Sequence, residues 1–148
     1  MLRNQTNLPF KIREKIASDN NFILNSWLKS YKDVEKIIPN DIYYREHAKL
    51  IQSALKDKNI FVAVSEDDAT QIIGYICYET QQLLPTIPIL HYVYVKYPYR
   101  HLGVARALVN PIYKDAEYVF CSHLCKCFLD IRKDHKKLIY NPYAKGSL

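Results

Sequence analysis

Residues 93–108 read VYVKYPYRHLGVARAL, and this stretch decides the fold. Its beginning belongs to an apolar, aromatic run, ILHYVYVK at residues 89–96, that is too continuous for a half-exposed strand. Pro98 ends this strand, and from Val104 to about Tyr113 apolar residues recur at helical spacing. The sequence therefore predicts a central strand, a loop whose last residue is glycine, and a helix.

The loop between this strand and this helix has the chemistry of an anion site. The first N–H groups of a helix have no internal acceptor, and the helix dipole adds about half a positive charge there. Gly103 permits close approach of a phosphate, Ala105 keeps its position small, and Arg100 and Arg106 add positive charge. Neither GxxxxGKS/T nor GxGxxG occurs, which excludes two common nucleotide-binding loops. The residue types fit a pyrophosphate.

The remaining elements are predicted from apolar spacing and turn residues. Pro111 predicts a kink or an early break in the helix after Gly103. The segment between residues 122 and 137 has no clear pattern. The other predicted elements are a strand at residues 11–17, helices from Asp19 to about Tyr31 and from Asp41 to about Lys56, strands at residues 60–64 and 71–78, and extended segments at residues 118–121 and 138–143.

Length and composition exclude several classes of protein. The chain has 148 residues, 49% of them hydrophobic and only three of them glycine, which predicts one globular domain over residues 1–148. No apolar run approaches the roughly 18 to 20 residues of a membrane span, and residues 1–10 lack a signal-peptide core. Four cysteines without a disulfide spacing suit a reducing compartment. We expect a cytoplasmic protein without a membrane partner.

The net charge of +6 belongs to the last third of the chain. Residues 1–95 hold eleven basic and eleven acidic side chains, whereas residues 96–148 hold ten basic and four acidic ones. Such a field concentrates anionic ligands but does not choose between a phosphorylated cofactor and a nucleic acid. Because no known nucleic-acid-binding motif is present, the sequence does not favour a nucleic acid as partner.

The motif RHLGVA, from Arg100 to Ala105, follows the pattern Q/R-x-x-G-x-G/A at the end of a central strand. It resembles motif A of the GNAT superfamily, the acyl-coenzyme A dependent N-acyltransferases. The order of predicted elements over residues 11–120 agrees with that family. The resemblance implies an α/β (α+β) GNAT fold: a mixed, mostly antiparallel sheet of six to seven strands, flanked by about four helices and splayed between strands four and five.

The resemblance also implies an activity and its ligands. The chain would move an acetyl group from acetyl-CoA, as co-substrate, to a primary amine by direct attack in a ternary complex. The pantetheine arm would pair like an extra strand with the backbone of Val93 and Val95. The pyrophosphate would bind at the motif A residues Arg100, His101, Leu102, Gly103, Val104, Ala105 and Arg106.

The catalytic groups are less well defined by this resemblance. Family members often place a base carboxylate on the fourth strand, where this chain has His91. A histidine base is chemically reasonable, although a hydrogen-bonded structural histidine is an equal alternative, and Glu79 is a weaker candidate. The family's Asn after the fifth strand, and the Tyr acid about seven residues later, are replaced by Ser122 and Leu129. Candidates to replace this acid are His123, Tyr140 and Tyr143.

The run CSHLCKC at residues 121–127 contains only one histidine among its cysteines. Closed zinc sites usually draw on two separated ligand pairs, so we expect no metal and favour buried, inert thiols over reactive ones. These departures keep an alternative open: a catalytically inactive GNAT-fold protein that binds CoA, another protein or a nucleic acid. The sequence does not define the acceptor amine or the oligomeric state, although residues 138–148 could exchange between the subunits of a homodimer.

Overall fold

A computed structural model of the chain describes residues 9–80, 87–124, 133 and 136–144. Its centre is an open six-stranded sheet in which strands that follow one another in sequence are neighbours in space. The first three pairings are antiparallel and the last two are parallel, which confirms the mixed, mostly antiparallel sheet. The strands are β1 (Phe10–Glu14), β2 (Asn59–Ser65), β3 (Ile72–Thr80), β4 (Pro88–Val95), β5 (Val119–Cys121) and β6 (Leu138–Tyr140).

Three complete α-helices lie within the described ranges, where the sequence predicted about four for the whole chain. They are α1 (Asn20–Lys32), α2 (Asn40–Asp57) and α3 (Val104–Tyr113), and short 3-10 turns cover Ala17–Asp19 and Tyr97–Tyr99. The predicted early break at Pro111 is wrong, because α3 continues to Tyr113. Pro111 lies in the last turn, where its missing N–H removes a single hydrogen bond and the Lys114 N–H still donates to Asn110 O at 3.0 Å.

The sequence predicts that Asp19 is the N-cap of α1, because aspartate is a favoured residue directly before a helix. Asp19 is the residue before the helix, but its carboxylate does not cap it. Instead it accepts bonds from the Arg13 guanidinium at 2.8 Å and from the Ile16 N–H at 2.9 Å. The Asp19 N–H also donates to Ile16 O at 3.0 Å, so the backbone groups of Ile16 are bound within a turn. The first strand therefore ends at Glu14, and Ala17 already belongs to a 3-10 turn.

Helix α1 packs on the sheet through an apolar stripe, which the helical spacing of Phe22, Ile23, Trp27 and Leu28 predicts. Ile23 and Trp27, four residues apart and therefore on one face of the helix, are both fully buried. The Trp27 ring stacks on Tyr92 of β4 with centroids 4.7 Å apart and planes 3° from parallel. This contact fixes α1 against the central strand, on the side where the candidate site lies.

The sheet divides between β4 and β5, as the family resemblance implied. The two strands pair only at Ile89 with Phe120 and at Leu90 with Cys121. The Ser122 N–H donates to Leu90 O at 3.0 Å, after which β5 ends while β4 continues to Val95. A V-shaped cleft therefore opens at the level of His91 and Ser122.

Gly74 in β3 lies where the neighbouring backbone leaves no room for a side chain. A Cβ at this position would be 2.5 Å from Tyr94 O on β4, a carbonyl that belongs to the central hairpin. The glycine therefore allows β3 to approach the end of β4 closely.

We expect Gly74→Ala to lower the free energy of unfolding by about 1–3 kcal/mol, because strand backbones must separate to admit the methyl group. Urea unfolding followed by circular dichroism measures the change. Thr80→Ala, at the exposed end of the same strand, is the matched control and should change stability by less than about 0.5 kcal/mol. Equal stability of the Gly74→Ala variant and the wild type would contradict this account of the hairpin.

Candidate active site

The loop after β4 adopts two left-handed backbone conformations before α3 begins. The Lys96 N–H donates to Ile73 O at 2.8 Å and closes the β3–β4 ladder. His101 has a φ of 65° and Gly103 a φ of 86°, so the chain turns sharply into the helix. The first intrahelical bond runs from the Ala107 N–H to Gly103 O at 3.0 Å. The N–H groups of Val104 and Ala105 therefore have no intrahelical acceptor.

The space at the start of α3 is open. No heavy atom lies within 4 Å of the position that a Cβ on Gly103 would occupy, and His101, Leu102 and Gly103 are all exposed. Arg106 is exposed in the first turn of α3. Unsatisfied amides, an open approach and a nearby cation together make a site that fits phosphate oxygens.

Arg100 has a structural role that the sequence did not indicate. Its Nε–H donates to Val95 O at 2.9 Å, and its guanidinium carbon lies 5.6 Å from the centre of the Tyr97 ring. The side chain thus ties the loop back to the end of β4, and its charge stays beside the turn. Arg100 shapes the anion site as well as adding charge to it.

The cleft side of β4 carries backbone groups that no described strand pairs. The Lys96 N–H points toward β3, and backbone groups alternate in direction along a strand. The backbone groups of Val95 and Val93 therefore point away from β3, into the cleft between β4 and β5. The Val95 carbonyl accepts the hydrogen bond from Arg100 Nε. The Val93 N–H and C=O and the Val95 N–H form a strand edge that an extended ligand can join.

At the apex of the V, five polar side chains form what we call the cleft cluster: Lys58, Glu79, His91, Ser122 and His123. The Lys58 ammonium forms an ion pair with Glu79 Oε2, and His91 Nε2 lies 3.2 Å from the same oxygen. On its other side, His91 Nδ1 is 2.6 Å from Ser122 Oγ, which in turn is 2.8 Å from His123 Nδ1. The cluster is one continuous chain of contacts.

A β-bulge places His91 in this cluster. Cys77 pairs with Tyr92 and Tyr78 pairs with Leu90, so His91 is an extra residue on β4. A bulge interrupts the alternation of side chains along a strand and changes the direction in which the inserted side chain points. His91 therefore faces Ser122 and Glu79, a direction that simple alternation along the strand does not predict.

A cavity of about 320 Å³ opens onto the cleft cluster. Leu50 and Ala54 of α2, together with Trp27 of α1, provide apolar walls, and Pro142 and Ala144 close another side. Its volume is at the lower end of the range for small-ligand sites, and it combines apolar walls with a few convergent polar groups.

Burial determines the charge states in the cleft cluster. Loss of solvent lowers the pKa of His123 to about 4, and the pKa of His91 is lowered mainly by the same cause, although Glu79 opposes it. For Glu79 burial acts to raise the pKa, but Lys58 and His91 outweigh it and the net pKa is lowered. Near neutral pH the cluster holds a carboxylate, an ammonium and two neutral imidazoles.

The comparisons with known proteins agree with this geometry. A family model described as the acetyltransferase (GNAT) family matches residues 21–139, which include both the loop before α3 and the cleft cluster. The chain belongs to the GNAT acetyltransferase family. A search of curated proteins finds no significant match.

Solved structures of the family share the fold at low sequence identity. A possible acetyltransferase from Clostridium difficile 630 superposes with a TM-score of 0.63 at 18% identity, over 95% of this chain and 99% of that one. A ribosomal-protein-alanine N-acetyltransferase from Brucella melitensis gives 0.51 at 16% identity, over 89% and 79% of the two chains. An aminoglycoside N-acetyltransferase in complex with CoA gives 0.52 at 16% identity, over 94% and 92%.

The structure brings some predicted site residues of this GNAT protein together and separates others. His91 and His123 lie with ring centroids 6.3 Å apart, and Glu79 joins them. Tyr140 and Tyr143 are 44% and 87% exposed and are not among the described residues that line the cavity. Leu129, Cys125 and Cys127 lie outside the described residues.

Sequence reasoning missed two members of the cleft cluster. Lys58 follows α2 and reaches Glu79 from a distant part of the chain, which no local pattern shows. In the sequence Ser122 is only a departure from the family pattern, whereas in the structure it contacts both histidines.

The described cysteines behave as buried thiols. Cys77 and Cys121 are free and buried, and burial raises the pKa of Cys121 to about 12. Within the described ranges, no group of three His, Cys, Asp or Glu residues is arranged to hold a metal ion. A search of the same ranges finds no helix with the length and apolar character needed to cross a membrane.

We expect Gly103→Ala to lower the free energy of unfolding by about 1–2 kcal/mol, because alanine is strained in a left-handed backbone conformation. The loss should come from the backbone alone, since no neighbouring atom obstructs the methyl group. Gly103→Asn is the matched control, since asparagine tolerates this conformation and should cost less. Chemical unfolding measures both. An alanine variant as stable as the asparagine variant would contradict the left-handed conformation at this position.

The buried imidazoles of His47, in α2, and of His123 make the stability of the protein depend on pH. Burial lowers the pKa of His47 and of His123 from 6.5 to about 4 in the folded protein. Below pH 6.5 the unfolded chain takes up protons that the folded protein resists, so the free energy of unfolding should fall between pH 6.5 and 4. His47→Phe preserves the ring and should flatten this slope in urea titrations. An unchanged slope would show that His47 does not resist protonation.

Proposed function

We propose that this GNAT protein is an acetyl-CoA dependent N-acetyltransferase that acts on a primary amine by direct attack in a ternary complex. The main support for this proposal is that two binding sites lie at opposite ends of β4. The anion site at Gly103 follows the end of the strand, the cleft cluster lies at His91 near its start, and an unpaired backbone edge connects them. One extended ligand can span all three.

The residues at each part of this path fit acetyl-CoA. The amides of Val104 and Ala105 would hold the pyrophosphate, supported by the charge of Arg106. The backbone of Val93 and Val95 would pair with the amides of the pantetheine arm. When bound, acetyl-CoA supplies the thioester whose acetyl group is transferred. The proposal is supported by an aminoglycoside N-acetyltransferase of the same fold, which has been solved in complex with CoA.

The cleft cluster would supply the base. An amine must lose a proton before it can attack a thioester, and a neutral imidazole is suited to accept one. His91 and His123 are neutral near pH 7 and line the cavity. The Glu79 carboxylate stabilises positive charge on His91, and Lys58 holds Glu79 ionised.

The fold does not specify the acceptor. The solved relatives include one named for an aminoglycoside and one named for a ribosomal-protein alanine, on the same architecture. The cavity beside the cleft cluster is where the amine of this protein would bind. We keep a cytoplasmic location as part of the proposal.

Calorimetric titration with acetyl-CoA tests the cofactor site. We expect saturable binding to the wild type and its loss in Gly103→Glu, because the new carboxylate would repel the phosphates at the start of α3. Asn110→Glu is the matched control: it adds the same charge to an exposed position on the same helix, away from its N-terminus. The proposal fails if the wild type does not bind, or if both variants bind as tightly as the wild type.

Transfer itself is tested by following release of the free CoA thiol with a panel of amines. The panel should contain an alkylamine, a polyamine, an aminoglycoside, and peptides with a free N-terminus or a lysine. Amine-dependent release supports the proposed function. Acetyl-CoA binding without release by any amine would favour the alternative that the sequence left open, a GNAT-fold protein that binds CoA without turnover.

A further inference from the structure

Ser122 occupies the position between the two candidate bases. Its hydroxyl oxygen is 2.6 Å from His91 Nδ1 and 2.8 Å from His123 Nδ1. Its own backbone is held by the bond from its N–H to Leu90 O at the cleft apex. Ser122 is 8% exposed, so the backbone bond and burial hold the hydroxyl in place.

We assign the hydrogens from the chemistry of these contacts. A carboxylate only accepts, so we place the proton of His91 on Nε2, which lies 3.2 Å from Glu79 Oε2. His91 Nδ1 is then an acceptor and receives the Ser122 O–H. Ser122 Oγ in turn accepts the Nδ1–H of His123, which leaves the lone pair of His123 on Nε2.

We propose that Ser122 joins His91 and His123 into one proton relay, in which His123 Nε2 takes the proton of the acceptor amine and His91 retains it beside Glu79. This inference rests on the proposed acetyl transfer and adds Ser122 as a positioning residue. It goes further than the assignment of either histidine as a separate base.

The proton transfers in the relay balance. The amine N–H bond breaks as the His123 Nε2–H bond forms. The His123 Nδ1–H proton moves to Ser122 Oγ, and the original Ser122 hydroxyl proton moves to His91 Nδ1. Ser122 ends as a neutral hydroxyl, no covalent bond forms to the acetyl group, and the charge rests on His91 opposite the Glu79 carboxylate.

The charges around the two rings explain the direction of transfer. His123 faces aromatic rings and two further histidines, with the His47 ring centroid 5.7 Å away. His91 faces Glu79, whose other neighbour is the ammonium of Lys58. A proton is therefore more stable on His91 than on His123, and Ser122 provides the path between them.

Two variants of Ser122 test the relay during turnover. We expect Ser122→Ala to lower kcat at least about 10-fold, since positioned proton transfer typically contributes more than this. The acidic limb of its pH–rate profile should move to lower pH, because His123 then acts without His91. Ser122→Thr keeps the hydroxyl and should restore both rate and profile, while acetyl-CoA affinity stays unchanged in all three proteins.

Nitrogen-15 NMR of the histidine rings tests the relay independently of turnover, so its failure is distinguishable from failure of the proposed function. At pH 7.5 we expect His91 protonated on Nε2 and His123 on Nδ1, and on acidification His91 should take up a proton before His123. The opposite tautomers, or earlier protonation of His123, would overturn the relay. So would wild-type kinetics in Ser122→Ala, or an acetyl group on Ser122 detected by mass spectrometry after mixing with acetyl-CoA.

Discussion

In the described part of the chain, the bond from the Ser122 N–H to Leu90 O is the last one that joins β4 and β5, and the site depends on the point at which this pairing ends. Beyond it the strands separate, so that one edge of β4 loses its partner and a cleft forms inside a sheet. An unpaired strand edge within a folded domain is costly unless a ligand or a side chain uses it. Arg100 covers one carbonyl of that edge, and the rest faces the cleft.

Much of the fold could be predicted because its elements carry local signals. The apolar run before Pro98, the glycine at position 103 and the helical spacing after it indicate strand, turn and helix without reference to the rest of the chain. The two elements whose ends differ from the prediction, β1 and α3, also differ for local reasons. The backbone of Ile16 is bound to Asp19 in a turn directly after β1, and the position of Pro111 in the last turn lets α3 continue.

The cleft cluster was less predictable because it is assembled from four separate segments. His91 reaches the cluster through a bulge that depends on pairing with β3, and no pattern in β4 alone indicates one. Lys58 and Ser122 are distant in sequence from Glu79 and from each other, so only the folded sheet brings them together. The anion site, by contrast, lies in one continuous segment and was predicted residue by residue as a binding site that remains to be tested.

We propose that β4 aligns acetyl-CoA between the Gly103 anion site and the cleft cluster. The most direct measurement is a residue-by-residue amide NMR titration with acetyl-CoA. If acetyl-CoA binds along β4, the largest shifts are expected at Val93, Gly103, Val104 and Ala105, with smaller ones at Ser122. Shifts concentrated instead in the separate cavity beside Arg13 and Asp19, with β4 and the start of α3 unchanged, would contradict it.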